Sequence, residues 1–293
     1  MSLARGLAFA ALALVVSTPA LAQPQPQRDP FNGQFGVIEL APPPAEAAHL
    51  AKLMGDALAA LLPHRPGVLD VYVISASLWG DPVFEREASQ AEEILRAHFG
   101  AEGRSIVLSA GGQGARRYPA ATPSNIAAAI GQVGALADPT EDLVVLFITS
   151  HGQSDGAAAI REHNRVGAVL RPTHLRDLLR QANIRNRVVI VSACFSGAFM
   201  APLIDDNTIV LTAAAPDRSS FGCQPQRDWT FFGDAYFNRA MREGGALIGA
   251  FDDAKRQIEI WEREQNLSPP SNPQRHVGAH AAEMVRQAER AAR

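Results

Sequence analysis

Five short stretches of this chain are apolar through their length, and amphipathic segments separate them: residues 69–75, 105–109, 143–149, 187–192 and 208–212. The third reads LVVLFIT and the fourth RVVIVS, without the polar alternation of a strand that shows one face to water. Strands buried on both faces belong to parallel sheets covered by helices on either side. The intervening segments repeat at helical spacing. Over 84–99, Phe84, Ala88, Ala91, Ile94, Leu95 and Phe99 share one face. Further helices are expected over 46–62, 124–137 (capped by Thr122 or Ser124), 173–182 (capped by Thr173), 231–243 and 247–264. Residues 156–170 are irregular, with room for a hairpin. The fold class is therefore α/β: a three-layer sandwich with a mostly parallel central sheet and helices on both faces.

The ends of the chain read differently. Residues 7–16 are an unbroken apolar run after a basic Arg5, and Ala20-Leu21-Ala22 is a small-x-small cleavage site. This is the pattern of a signal peptide over 1–22, cut after Ala22, and places the mature chain in the periplasm or outside the cell. An uncleaved anchor is the rival reading. No later stretch reaches the ~18 apolar residues of a membrane span. Residues 23–46, with QPQPQRDP and Pro42-Pro43-Pro44, read as a proline-rich leader. The main domain is expected over 47–273, and an alanine- and arginine-rich helical tail over 274–293. A formal net charge of −3 and 6% aromatic residues exclude the basic stripe or stacking platform of a nucleic-acid binder.

In a sheet of this kind reactive groups collect at the carboxyl ends of strands. Residues 143–149 run straight into Ser150-His151-Gly152, and 187–192 into Ala193-Cys194-Phe195-Ser196-Gly197. If the two strands are neighbours, an imidazole and a thiol face one crevice. A thiol becomes a strong nucleophile once a base takes its proton, and the imidazole is that base. Glycine close behind each residue lets the backbone approach a substrate. The amides of Gly152 and Cys194 are then candidate donors to a developing oxyanion, and a helix starting near Gly197 would aim its positive end at Cys194. Taken singly, a buried Cys or a strand-end His is more often structural; the pairing carries the reading. With two cysteines in the chain, a Cys194–Cys223 bridge is the alternative that would silence it. His163 and His174 lie on different elements with no acidic partner motif, so no metal is expected. No cofactor is expected either, and Trp79, Trp229 and Trp261 read as packing residues.

These residues resemble the legumain-type cysteine peptidases, relatives of caspases and gingipains. FITSHG at 147–152 and VSACFSG at 191–197 match the two strand-end motifs of that group. TAAAPDRSSFGC at 212–223 and FFGDAYF at 231–237 resemble two further blocks of the legumain branch. The resemblance implies a caspase-like fold and a cysteine endopeptidase working through a thioester, with His151 as base, Cys194 as nucleophile and a peptide or protein substrate. It places Ser192, Ser219, Ser220 and Asp234 at the pocket for the residue before the scissile bond, where Asn, or a small polar or basic residue, is preferred. Three positions depart from the group. Ser192 and Ser150 stand where legumains carry acids, and 75–87 (SASLWGDPVFERE) lacks their Asn-Tyr-Arg-His block, leaving Ser75, Ser77 or Arg86 as substitutes. Two other outcomes share the same residues: a binding protein that keeps the fold without the reaction, and a ligase that passes the acyl group to an amine. Oligomeric state is not legible.

Overall fold

A computed structural model describes residues 38–40, 42–111, 116–162 and 165–292. The expected signal peptide, most of the leader, and His163 lie outside them. Among the described residues the main sheet has six strands, in the order β3-β2-β4-β7-β8-β9. These are β2 (Val71–Ser77), β3 (Ser105–Ser109), β4 (Leu143–Thr149), β7 (Arg187–Ser192), β8 (Thr208–Thr212) and β9 (Gln274–Val277). The first five are parallel and β9 is antiparallel. A second sheet, β1-β6-β5, joins β1 (Ile38–Glu39) to a hairpin of β5 (Ala158–Glu162) and β6 (Val166–Leu170).

The apolar strands face two cores. Tyr72, Ile74, Leu146, Ile148, Val189 and Val191 pack with α1 (Pro44–Ala59), α3 (Pro123–Leu136) and α4 (Pro172–Gln181). Their neighbours Val71, Val73, Val145, Phe147, Val188 and Ile190 pack on the other face. There they meet α2 (Pro82–Phe99), α7 (Leu247–Glu264), α8 (Ala279–Ala291) and a π-helical stretch, Asp234–Met241. Successive side chains alternate between faces, so an unbroken apolar run is what two cores require. Among the described residues no helix is long and apolar enough to cross a membrane.

Several details differ from the sequence expectation. The first strand starts two residues later, because buried Asp70 is taken by Arg65 and Arg104 before the ladder begins. Thr173 is not the cap of α4: the helix starts at Pro172, whose fixed φ opens it without a side-chain cap. Residues 274–277, expected within a helical tail, add a strand to the sheet edge, and Ala281, Val285 and Ala288 of α8 are core residues. Thr122 does cap α3, accepting from the Asn125 amide at 3.2 Å.

Candidate active site

β4 and β7 are adjacent, with Thr149 opposite Ser192. Both chains therefore leave the sheet at the same edge. The Ser150 amide extends the ladder by donating to the Ser192 carbonyl at 3.1 Å, and the His151 carbonyl accepts from Ala159 of β5 at 2.9 Å. His151 is thus held between the main sheet and the β5–β6 hairpin. Gly152 lies flat on the other loop: a Cβ there would sit 1.8 Å from the Cys194 carbonyl oxygen, so only glycine permits the approach. Gly152 faces Ala158 across an antiparallel bridge whose two bonds run from Gln153 to Ala157 and from Ala159 to His151, so neither uses the Gly152 amide.

The imidazole of His151 is pinned by three groups. Trp79 and Phe84 meet it edge-on, with ring centroids 5.0 and 4.9 Å away. Its Nε2 lies 3.5 Å from a carboxylate oxygen of Asp81. Asp81 occupies the N-cap of α2 but makes no side-chain cap bond there, so its carboxylate is available to the ring. A neutral imidazole that donates from Nε2 keeps Nδ1 as an acceptor. Both partners are more than a third exposed, which leaves this pair a long, solvent-screened contact.

Cys194 sits at a sharp turn. Phe195 adopts a left-handed conformation (φ 57°) and its amide donates to the Arg218 carbonyl at 2.7 Å. This draws the loop after β8 along the sulfur. The Ser220 amide donates to Sγ at 3.3 Å, and the Ser220 hydroxyl is 3.6 Å away. Ser219 precedes it on the same loop. The helix expected near Gly197 is a four-residue 3₁₀ turn, Ser196–Phe199, followed by the equally short α5 (Met200–Leu203). Gly197 is pressed against Ala215 and Pro216, which holds that turn. Both cysteines are free thiols. Burial, with Cys194 close by, pushes the Cys223 thiol up to about 12.

The remaining candidates are placed differently. Ser192 is buried and its hydroxyl meets the carboxyl of Glu87 at 3.1 Å and the Thr230 hydroxyl at 3.1 Å. The Asp234 carboxylate accepts from Asn238 at 2.7 Å and pairs with Arg239 on its own helical stretch. Ser75 donates to the Ala88 carbonyl, Ser77 to Ser109, and Arg86 turns outward to Asp228. The group beside the His is Asp81, which sequence reasoning passed over because an Asp before a Pro reads as a helix cap. Glu87 was passed over as well. Its one signal is position, three residues after Phe84 and four before Ala91, on the apolar stripe of α2.

A profile of the peptidase C13 family matches residues 114–279, more than half of the chain. The chain belongs to that family. This C13 peptidase is accordingly an enzyme of the cysteine peptidase type, acting on protein substrate, and the legumain resemblance of its motifs is explained by membership. No curated protein matches it in a sequence search. Among solved structures it is similar to caspase-1 from Spodoptera frugiperda, at a TM-score of 0.49 and 10% identity. That likeness covers 75% of the C13 peptidase and 88% of the caspase.

Proposed function

We propose that this chain is a secreted endopeptidase in which Cys194 is the nucleophile and His151 the base. His151 takes the thiol proton as sulfur bonds to the carbonyl carbon of the substrate. The amides of Gly152 and Cys194 receive the oxyanion. The carbon–nitrogen bond then breaks, His151 returns the proton to the departing amine, and a thioester remains. Water, deprotonated by His151, attacks it; the acid leaves and the thiol is restored.

The observation that carries this reading is the packing of Gly152 against the Cys194 carbonyl, which brings the two strand ends to one cleft. Asp81 orients the imidazole. The Ser219–Ser220 loop beside the sulfur supplies hydroxyl and amide groups, which suit a side chain that both donates and accepts, such as Asn. The Asp234 carboxylate is occupied within its own helix, so the preference rests on that loop. Secretion is supported by the pattern of residues 1–22.

The test is hydrolysis of a peptide series varied at the residue before the scissile bond, comparing the mature chain with Cys194→Ala and His151→Ala. Cleavage that survives Cys194→Ala refutes the mechanism. A flat series, with Asn no better than Leu or Lys, refutes the pocket assignment alone.

A further inference from the structure

One carboxyl lies beneath the cleft without touching it. Glu87 on α2 is fully buried, at 0% exposure. Three hydroxyls converge on it. Thr149 donates to Oε2 at 2.8 Å, and Thr230 and Ser192 reach Oε1 at 2.8 and 3.1 Å. Each belongs to a different wall. Thr149 ends β4, two residues before His151. Ser192 ends β7, two residues before Cys194. Thr230 caps α6 (Phe231–Gly233), where its hydroxyl accepts from the Gly233 amide at 3.0 Å.

The residue after Thr230 holds the loop that carries Ser220. The Phe231 amide donates to the Phe221 carbonyl at 3.0 Å, and a Cβ on Gly222 would meet the Phe231 nitrogen at 2.6 Å. The fit around the carboxyl is equally close. A Cβ on Gly233 would fall 2.1 Å from Oε1, so glycine is what admits the acid.

We propose that Glu87 is a positioning residue, whose carboxyl ties the strand ends bearing His151 and Cys194 and the loop bearing Ser220 into one rigid cleft. Taking a carboxyl out of water is costly, and an apolar side chain would pack α2 without that cost. What an apolar residue cannot do is fix three hydroxyls, hence three backbone termini, to one point. Productive geometry tolerates little error: displacement of about 1 Å costs about 100-fold in rate. The same helix brings Asp81 to His151, so α2 sets both the ring and the floor beneath it.

Burial lifts the Glu87 carboxyl to about 7, with the three hydroxyls pulling the other way. Other ionisable groups lie on the elements packed around it. His151 lies beyond β4, Cys194 beyond β7, Cys223 on the loop against Thr230 and Asp234 after α6, while Asp81 and Arg86 share its helix. Charge on Glu87 therefore arises at the ends of the two strands that lead to His151 and Cys194 as pH passes neutrality, and an amide at this position never acquires it.

The proposal rests on the peptidase reading for one of its assays. Wild type, Glu87→Ala and Glu87→Gln are compared as full chains, with folding checked by tryptophan fluorescence. Peptide hydrolysis is followed from pH 5.5 to 8.5, and labelling of Cys194 by iodoacetamide is followed by mass spectrometry. The expected result for Ala is a kcat about 100-fold lower with little change in KM, and slower labelling of Cys194. Gln, which keeps the shape, restores kcat at pH 5.5. The ratio of Gln to wild type is flat in acid and departs from that value as pH passes about 7. A residue needed only for folding would move the urea midpoint and leave kcat of the folded enzyme and this pH ratio alone. Folded Glu87→Ala with kcat near wild type, or a Gln ratio flat across the range, overturns the proposal. Should Ala fail to fold, the Gln ratio decides. Should wild type match Cys194→Ala in hydrolysis, the peptidase reading fails instead, and the labelling rate decides: equal rates in wild type and Gln across pH overturn the positioning role.

Discussion

Replacing Glu87 by Gln should change how stability depends on pH, by an amount the burial of the carboxyl sets. In the folded chain this acid titrates near 7 rather than 4.5, chiefly because it is removed from water. Between those values the folded chain holds a proton that the unfolded chain has released. Linkage then lowers stability as pH rises: the contribution is complete below about 4.5 and is lost as pH climbs through about 7. The gap corresponds to about 3 kcal/mol, a sizeable part of the ~5–15 kcal/mol that holds a domain folded. Gln keeps the shape and the acceptor oxygen and does not titrate. The two proteins should therefore be close in stability at pH 4.5, and the Gln variant should be the more stable by about 3 kcal/mol at pH 8.5. Urea unfolding followed by the fluorescence of Trp79, Trp229 and Trp261 measures this, and every other titrating group cancels in the difference. A difference that stays constant with pH refutes the reasoning. A difference of opposite slope would mean that the three hydroxyl bonds outweigh desolvation and that the buried carboxylate is the favoured form.

Three further outcomes are expected. Gly152→Ala, whose Cβ meets the Cys194 carbonyl at 1.8 Å, should force the two loops apart and lower kcat by about 100-fold while the protein stays folded, read by steady-state kinetics beside circular dichroism. Asp81→Asn should lower kcat by no more than about 10-fold, since the pair with His151 is over a third exposed and long; a loss as large as that of His151→Ala would show the carboxylate doing more than orienting the ring. Iodoacetamide at pH 7 should label Cys194 well before Cys223, whose thiol is pushed up to about 12, and equal labelling in peptide mass mapping would contradict the burial that causes the shift.

The sheet was readable because its strands must fill two cores at once: four of them, 105–109, 143–149, 187–192 and 208–212, begin and end where the apolar runs do. The His151 and Cys194 loops were readable for the same reason, since each follows such a run directly. β9 escaped notice because an antiparallel edge strand of sequence QRHV is polar and short, and only its neighbour β8 makes it a strand. Asp81 and Glu87 escaped for another reason. Their roles depend on where α2 lies against the ends of β4 and β7, a long-range relation that local spacing does not encode. Ser192 illustrates the point: it stands where relatives carry an acid two residues before the nucleophile, and its hydroxyl meets a carboxyl delivered by a helix more than a hundred residues earlier. Where the motif departs, the serine meets an acid from elsewhere in the chain.

α8 has a bearing on how α2 is held in place. Glu289 near its end pairs with His98 of α2 at 2.9 Å and accepts from the Leu247 amide at 2.7 Å, while β9 just before it occupies the open side of β8. A nascent or clipped polypeptide that stops short of residue 274 has made Asp81, Glu87, His151 and Cys194 but has neither its sheet margin nor the brace behind α2. Cutting the chain before residue 274 should therefore weaken the support of α2 and bare the edge of β8, although no residue of the cleft is removed.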